Sequence, residues 1–163
     1  MISRRMILLT GLFLTGVLSA QTAQLTASYQ PQSSTQAGQN LVLVVDLSQQ
    51  LNDGLLFELP GKTKLIPFAI KRNGTALWMK NEDSEPANNN AVHWDYQDNR
   101  LIVRFKNGLL QNGDRIEVDC TPHIVDTTAV EKRIVVKEFS AQTPADLRGG
   151  QILDSQDFPL LRK

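Results

Sequence analysis

From residue 24 onward, apolar and polar side chains alternate with a period of two, and no long stretch repeats every three to four residues. Period two places successive side chains on opposite faces of an extended strand. "QLTASYQ" aligns Leu25, Ala27 and Tyr29, and "NLVLVVDL" aligns Leu41, Leu43, Val45 and Leu47. "AVHWDY" aligns Val92, Trp94 and Tyr96, so His93 takes the opposite face. "RLIVRF" groups Leu101, Val103 and Phe105 against Arg100 and Arg104, and "DRIEVDC" groups Ile116, Val118 and Cys120. "GLLFEL", "KLIPFAIK", "TALWMK" and "EKRIVVKEF" read as four further strands, the last of these being the final regular one.

Turn residues punctuate these runs: Asp53-Gly54, Pro60-Gly61, Asn73-Gly74, Asn107-Gly108 and Asn112-Gly113. Gly, Asn and Asp tolerate the positive φ that tight reversals require. Pro67 lacks the N–H that a ladder needs, so its strand is expected at an edge or broken there. Many short strands separated by turns predict an all-β sandwich, with one face of each sheet buried and the alternate residues wet. The pattern stops after Ser140, and residues 141–163 read as a tail or linker in which Ile152, Leu153, Phe158 and Leu160 are the apolar residues able to dock.

The first twenty of the 163 residues change the picture of where the chain works. Arg4 and Arg5 precede an apolar run ending in the small residues Ser19 and Ala20. Basic start, apolar core and small residues at the cut are the pattern of a secretory signal peptide, and the core is too short to favour permanent residence in a bilayer. Paired arginines also resemble a twin-arginine signal, but Leu9 and the strongly apolar core favour the general secretory route. The formal net charge is zero, with no clustered Lys and Arg to bind nucleic acid. The single cysteine excludes an internal disulfide. In an exported chain that thiol is buried, metal-bound or joined to another chain.

"LVLVVDLSQQLNDGLLF" and "NNAVHWDYQDNRLIVRFKNGLLQNGDRIEVDC" resemble the immunoglobulin-like repeats of bacterial secreted and cell-surface proteins. The matching positions are Asp46, Leu51, Gly54, Val92, Trp94, Asp95, Leu110, Gly113, Asp114, Ile116 and Val118, within residues 24–139. Asn52 stands where those repeats usually carry Pro. The resemblance implies an immunoglobulin-like Greek-key sandwich over residues 21–140 and a role as spacer, adhesion module or assembly contact. It brings no catalytic residue and no cofactor.

A second resemblance is local. "NGDRIEVDCTPH" is similar to the last ligand loop of small blue-copper proteins, the cupredoxins, which are also β-sandwiches. It implies Cys120 and His123 as loop ligands and His93 as the upstream one, since such a site needs two imidazoles and a thiolate around one ion. Residues 124–130 supply no methionine, so Met79 would have to come from elsewhere. His93 also has the wrong parity, because Val92, Trp94 and Tyr96 form the inward set. The plainer reading continues the inward face from Ile116 and Val118 to Cys120, where a thiol behaves as a small apolar residue.

Other chemistry is thinner. Glu82, Asp83 and Glu85 form an acidic run without calcium-loop spacing. No Gly-x-Ser-x-Gly elbow supports a catalytic triad. Trp78 is the tryptophan expected at the surface, where an indole can stack on a sugar ring, and Trp94 is the one expected inside. Val42 and Val44, opposite the inward set of their strand, offer a contact surface. The sequence therefore points to an exported, non-catalytic structural or protein-interaction module without a cofactor, whose partners are envelope or extracellular proteins. The alternative is a copper-binding, electron-transfer domain using His93, Cys120 and His123.

Overall fold

In a computed structural model of the chain, residues 22–30, 39–80, 91–106, 110–140 and 150–159 are described. They form ten strands: β1 (Ala23–Gln30), β2 (Asn40–Leu47), β3 (Gly54–Glu58), β4 (Lys64–Arg72), β5 (Thr75–Met79), β6 (Val92–Gln97), β7 (Arg100–Phe105), β8 (Arg115–Ile124), β9 (Arg133–Phe139) and β10 (Ile152–Asp157). Two antiparallel sheets of five strands result, ordered β1-β2-β8-β4-β5 and β10-β9-β3-β7-β6. They form an all-β sandwich. No helix among the described residues is long and apolar enough to cross a membrane. The leader-like segment 1–20 and the acidic run at 82–85 lie outside the described residues.

Alternation sets which side chains meet between the sheets. Leu41, Leu43, Val45 and Leu47 of β2 are buried with Ile116, Val118 and Cys120 of β8, their neighbours in the same sheet. Leu55 and Phe57 of β3, Leu101 and Val103 of β7, and Ile134 and Val136 of β9 face them from the other sheet. The opposite face of that second sheet carries a smaller apolar cluster of Leu56, Ile102 and Phe139, over whose ring the Arg104 guanidinium sits 5.1 Å from the centroid. An arginine stacked on an aromatic face shields it from water while keeping its charge solvated.

The turns divide into two kinds. Asn73 and Gly74 both take positive φ, 52° and 80°, and join β4 to β5 in a two-residue reversal whose twist suits the flanking strands. Asp98 and Asn99, at 48° and 61°, do the same between β6 and β7 without any glycine, a reversal that the glycine-based reading passes over. Asp53-Gly54, expected to reverse the chain, instead opens β3. Gly54 lies against β7 so closely that a Cβ there would overlap the Val103 carbonyl oxygen.

Pro67 lies in an internal strand that is broken there, as its missing donor leads one to expect: the ladder with β8 shifts register between Pro67 and Ala69. Three expectations change. Trp78 is buried in the core and Trp94 only partly so, reversing their expected roles. A register shift between Ile70 and Lys71 rephases β5 and sets Trp78 opposite Ile70. Val44 is buried rather than exposed, because β2 is internal and Val44 sits between Thr26 of β1 and Glu117 of β8. Finally, part of the expected tail belongs to the sandwich: β10 pairs with β9, and Leu153 and Phe158 are buried in the core.

Candidate interaction edge

The three residues of the copper alternative do not converge. Cys120 points into the core from β8, a central strand of one sheet. His93 is on β6, at the edge of the other sheet, with its side chain on the face opposite Trp94. His123 is exposed near the end of β8. Among the described residues no group of three His, Cys, Asp or Glu side chains is placed to hold a metal ion. Burial, with the Asp119 carboxylate adding to it, pushes the Cys120 thiol far above its ordinary range. The proton stays on sulfur, and the thiol makes a long contact of 3.7 Å to the Val118 carbonyl.

Several carboxylates hold the scaffold together. Asp114 is nearly enclosed and accepts hydrogen bonds from the Gln111 N–H at 2.6 Å and the Asn73 side-chain amide at 2.9 Å, with the Arg72 guanidinium 2.9 Å away. Burial works to raise this carboxyl, and those donors together with the Arg72 charge outweigh it, leaving it below its ordinary value. Glu117 and Asp119, which alternate with the inward set of β8, are ion-paired with Lys71, whose ammonium lies 2.7 Å from the largely buried Asp119. Asp126 accepts from the Thr128 hydroxyl and the N–H groups of Lys62 and Thr128, which lowers it to about 2. Lys71, Glu117 and Asp119 line a pocket with Gln30, Asn40, Val42 and Phe68, while Asp114 and Asp126 are each engaged by donors of neighbouring loops and strands.

The two lateral sides of the sandwich, where each sheet ends, are built differently. On one side, β1 and β10 are the edge strands. The Ser48 N–H donates to the Thr22 carbonyl, so the ladder directs Leu25 and Ala27 backbone groups away from β2. Those groups are met by side chains of β10. Leu25 N–H donates to Asp154 Oδ2 at 2.7 Å, and Ala27 N–H donates to Gln156 Oε1 at 2.8 Å. Gln156 Nε2 returns a bond to the Ala27 carbonyl at 3.2 Å. The other oxygen of Asp154 accepts from Ser155 N–H, an outward group of β10 itself. Two side chains spaced i and i+2 thus meet Leu25 and Ala27 of β1 as the backbone of a further strand would. A bulge between Ile152 and Asp154 lets Leu153 enter the core while Asp154 still reaches β1.

On the other side, β5 and β6 are the edges. Lys106 N–H donates to the Ala91 carbonyl, so the same alternation turns His93 and Asp95 backbone groups toward β7 and Trp94 and Tyr96 backbone groups outward. Asp95 folds back to accept the Tyr96 N–H at 2.7 Å. The main-chain N–H and C=O of Trp94 meet no partner among the described residues. Four buried side-chain nitrogen or oxygen atoms among the described residues lack a hydrogen-bond partner, and three of them are here: Trp78 Nε1, His93 Nδ1 and Trp94 Nε1. The two indoles meet edge to face, 6.0 Å between centroids. Met79, the residue after Trp78 in β5, is 56 % exposed.

β6, which carries a histidine and a tryptophan in the sequence, is an edge strand of its sheet among the described residues. Asp154 and Gln156 were missed, since residues after Ser140 were assigned to a tail. The alternation Asp154-x-Gln156 was the available signal. No family model, curated protein or solved structure matches the chain.

Proposed function

We propose that this protein is an exported, non-catalytic module with an immunoglobulin-like Greek-key sandwich, acting as a structural or protein-interaction domain in the cell envelope or outside the cell. The contrast between the two lateral sides carries the reading. Unpaired strand edges recruit other strands, and chains that must avoid this cover them. Here Asp154 and Gln156 cover Leu25 and Ala27 on one side, and the other presents Trp94 main-chain groups beside a partly exposed aromatic cluster. Strand addition at such an edge takes affinity from main-chain bonds and specificity from the flanking side chains.

Other features support parts of this reading. The basic, apolar and small-residue sequence at 1–20 favours export. Consecutive strands β2 and β3 belong to different sheets, and β8 returns between β2 and β4, connections of the Greek-key kind. Arg72, Lys71 and hydrogen bonds within the fold neutralise the carboxylates of Asp114 and Asp119.

The test places a photo-crosslinking side chain at Gln97, exposed on β6, or at Thr26, exposed on the closed edge strand β1. In the producing cells, adducts with a protein, a second copy included, are expected from position 97 and not from position 26. Equal yields from both positions, or none from 97, would remove the basis for an interaction edge.

A further inference from the structure

We infer that the lateral cleft flanked by β1 and β9 is a strand-acceptor site, filled in this chain by its own β10 and able to take the same strand from a second copy. The site lies on the opposite lateral side from β6 and stands without the reading of that edge. Its occupant is bonded to β9 from end to end. Gly150 N–H donates to the Glu138 carbonyl at 2.9 Å, Glu138 N–H to the Gln151 carbonyl at 3.0 Å, and Phe158 N–H to the Lys132 carbonyl at 2.7 Å, with the β9–β10 ladder between them. Toward β1 the recognition is by side chain. Asp154 takes the Leu25 N–H, and the Gln156 amide brackets Ala27 as acceptor and donor. Leu153 and Phe158 are buried in the core. The site therefore fits an extended segment of the form Leu-Asp-x-Gln-x-Phe, apolar at both ends, with a carboxylate and an amide two residues apart between them.

Three features make the resident strand replaceable. Both walls of the site survive its departure, because β9 keeps its ladder with β3 and β1 keeps its ladder with β2. Within β10 only Leu153 of six residues is buried, whereas β2 buries Leu41, Leu43, Val44, Val45 and Leu47. A bulge between Ile152 and Asp154 also interrupts the β9–β10 ladder. An edge strand with so little apolar burial opens at a lower free energy than the whole domain unfolds. Once it opens, the Leu25 and Ala27 N–H groups and the edge of β9 lose their cover together, and such edges recruit strands. The β10 of a second copy brings the same donors, acceptors and apolar side chains, so mutual exchange refills both sites.

The test uses the full chain and a fluorescent synthetic peptide of residues 150–159. In the wild-type chain, hydrogen exchange at the Leu25, Ala27 and Glu138 amides should run together, and about tenfold or more faster than at the amides shared by β2 and β8. Peptide binding, read by anisotropy, should respond in opposite senses to one pair of changes. Asp154→Ala with Gln156→Ala in the chain weakens the resident strand and should tighten binding of the wild-type peptide by about tenfold or more. The same two changes in the peptide should weaken its binding by about the same factor, since the same bonds are lost. Excess wild-type peptide should slow Leu25 and Ala27 exchange again. Gln156→Glu in the chain, which keeps the acceptor, should give the same ordering with a smaller effect and guards against a doubly changed chain that does not fold. Leu25 and Ala27 amides that exchange only with global unfolding overturn the inference. So does the absence of peptide uptake by all three chains at their highest soluble concentration, or equal binding of the two peptides.

Discussion

Gln156 holds the backbone of Ala27 at both ends, accepting its N–H at 2.8 Å and donating to its carbonyl at 3.2 Å, although the residues lie 129 positions apart and in different sheets. A side-chain amide has the donor and acceptor of a peptide group, so one glutamine can stand in for the next strand. Gln156→Ala leaves both Ala27 groups to water or to another chain. The expected loss is about 1–2 kcal/mol of stability, from net hydrogen-bond values. Ala27 amide exchange should speed up, measured by hydrogen exchange, and self-association through β1 should rise. Gln156→Glu keeps the acceptor and loses the donor, so its effect should be intermediate.

Acid stability should depend on Asp126 and Asp114. Both carboxyls lie below their ordinary value when folded, so the unfolded chain binds protons more readily. The stabilisation is complete above the ordinary carboxylate range, near 3.8, and is lost as pH falls toward the folded value, about 2 for Asp126. Urea midpoints measured across this window should fall with decreasing pH. In Asp126→Asn the fall should be shallower and the midpoint above pH 5 lower.

Cys120 should be inert in the native protein. With its sulfur enclosed and its proton firmly held, a thiol reagent should label it only in denaturant, at a rate that follows unfolding. Added Cu²⁺ should give no intense visible thiolate-to-copper band. An intense band abolished by Cys120→Ser would reinstate a copper centre. Cys120→Ser itself buries a hydroxyl and should cost about 1–3 kcal/mol in chemical denaturation.

Trp78 should behave as a core residue. Trp78→Ala removes an indole packed against Trp94 and should cost about 3–5 kcal/mol, measured by thermal or urea unfolding. Titration with a glycan panel should leave the fluorescence of the wild-type protein unchanged. A saturable change lost in a folded Trp78→Phe variant would revive stacking on sugars.

Much of the interior was legible before any coordinates. The inward sets of β2, β7 and β8 follow from alternation, and so does the outward turn of His93 relative to Trp94. Pro67 and Asn73-Gly74 were read from backbone chemistry, and both mark irregularities or reversals of β4. What failed depended on neighbours. Trp78 has an ambiguous parity until the bulge opposite Ile70 is known. Val44 has the outward parity of a wet residue, but an internal strand has side chains beside it on both flanks.

Local periodicity and turn chemistry are written in consecutive residues, so the order of amino acids carries an all-β chain, the reversals at Pro60-Gly61, Asn73-Gly74 and Asn112-Gly113, and the inward side of β2, β7 and β8. The tertiary structure alone decided which strands became edges, that Ile152–Asp157 joined the sandwich, and that Asp154 and Gln156 covered one edge while Trp94 was left at the other. An edge is defined by which strand is missing beside it. That depends on contacts between residues more than a hundred positions apart, which no local pattern encodes.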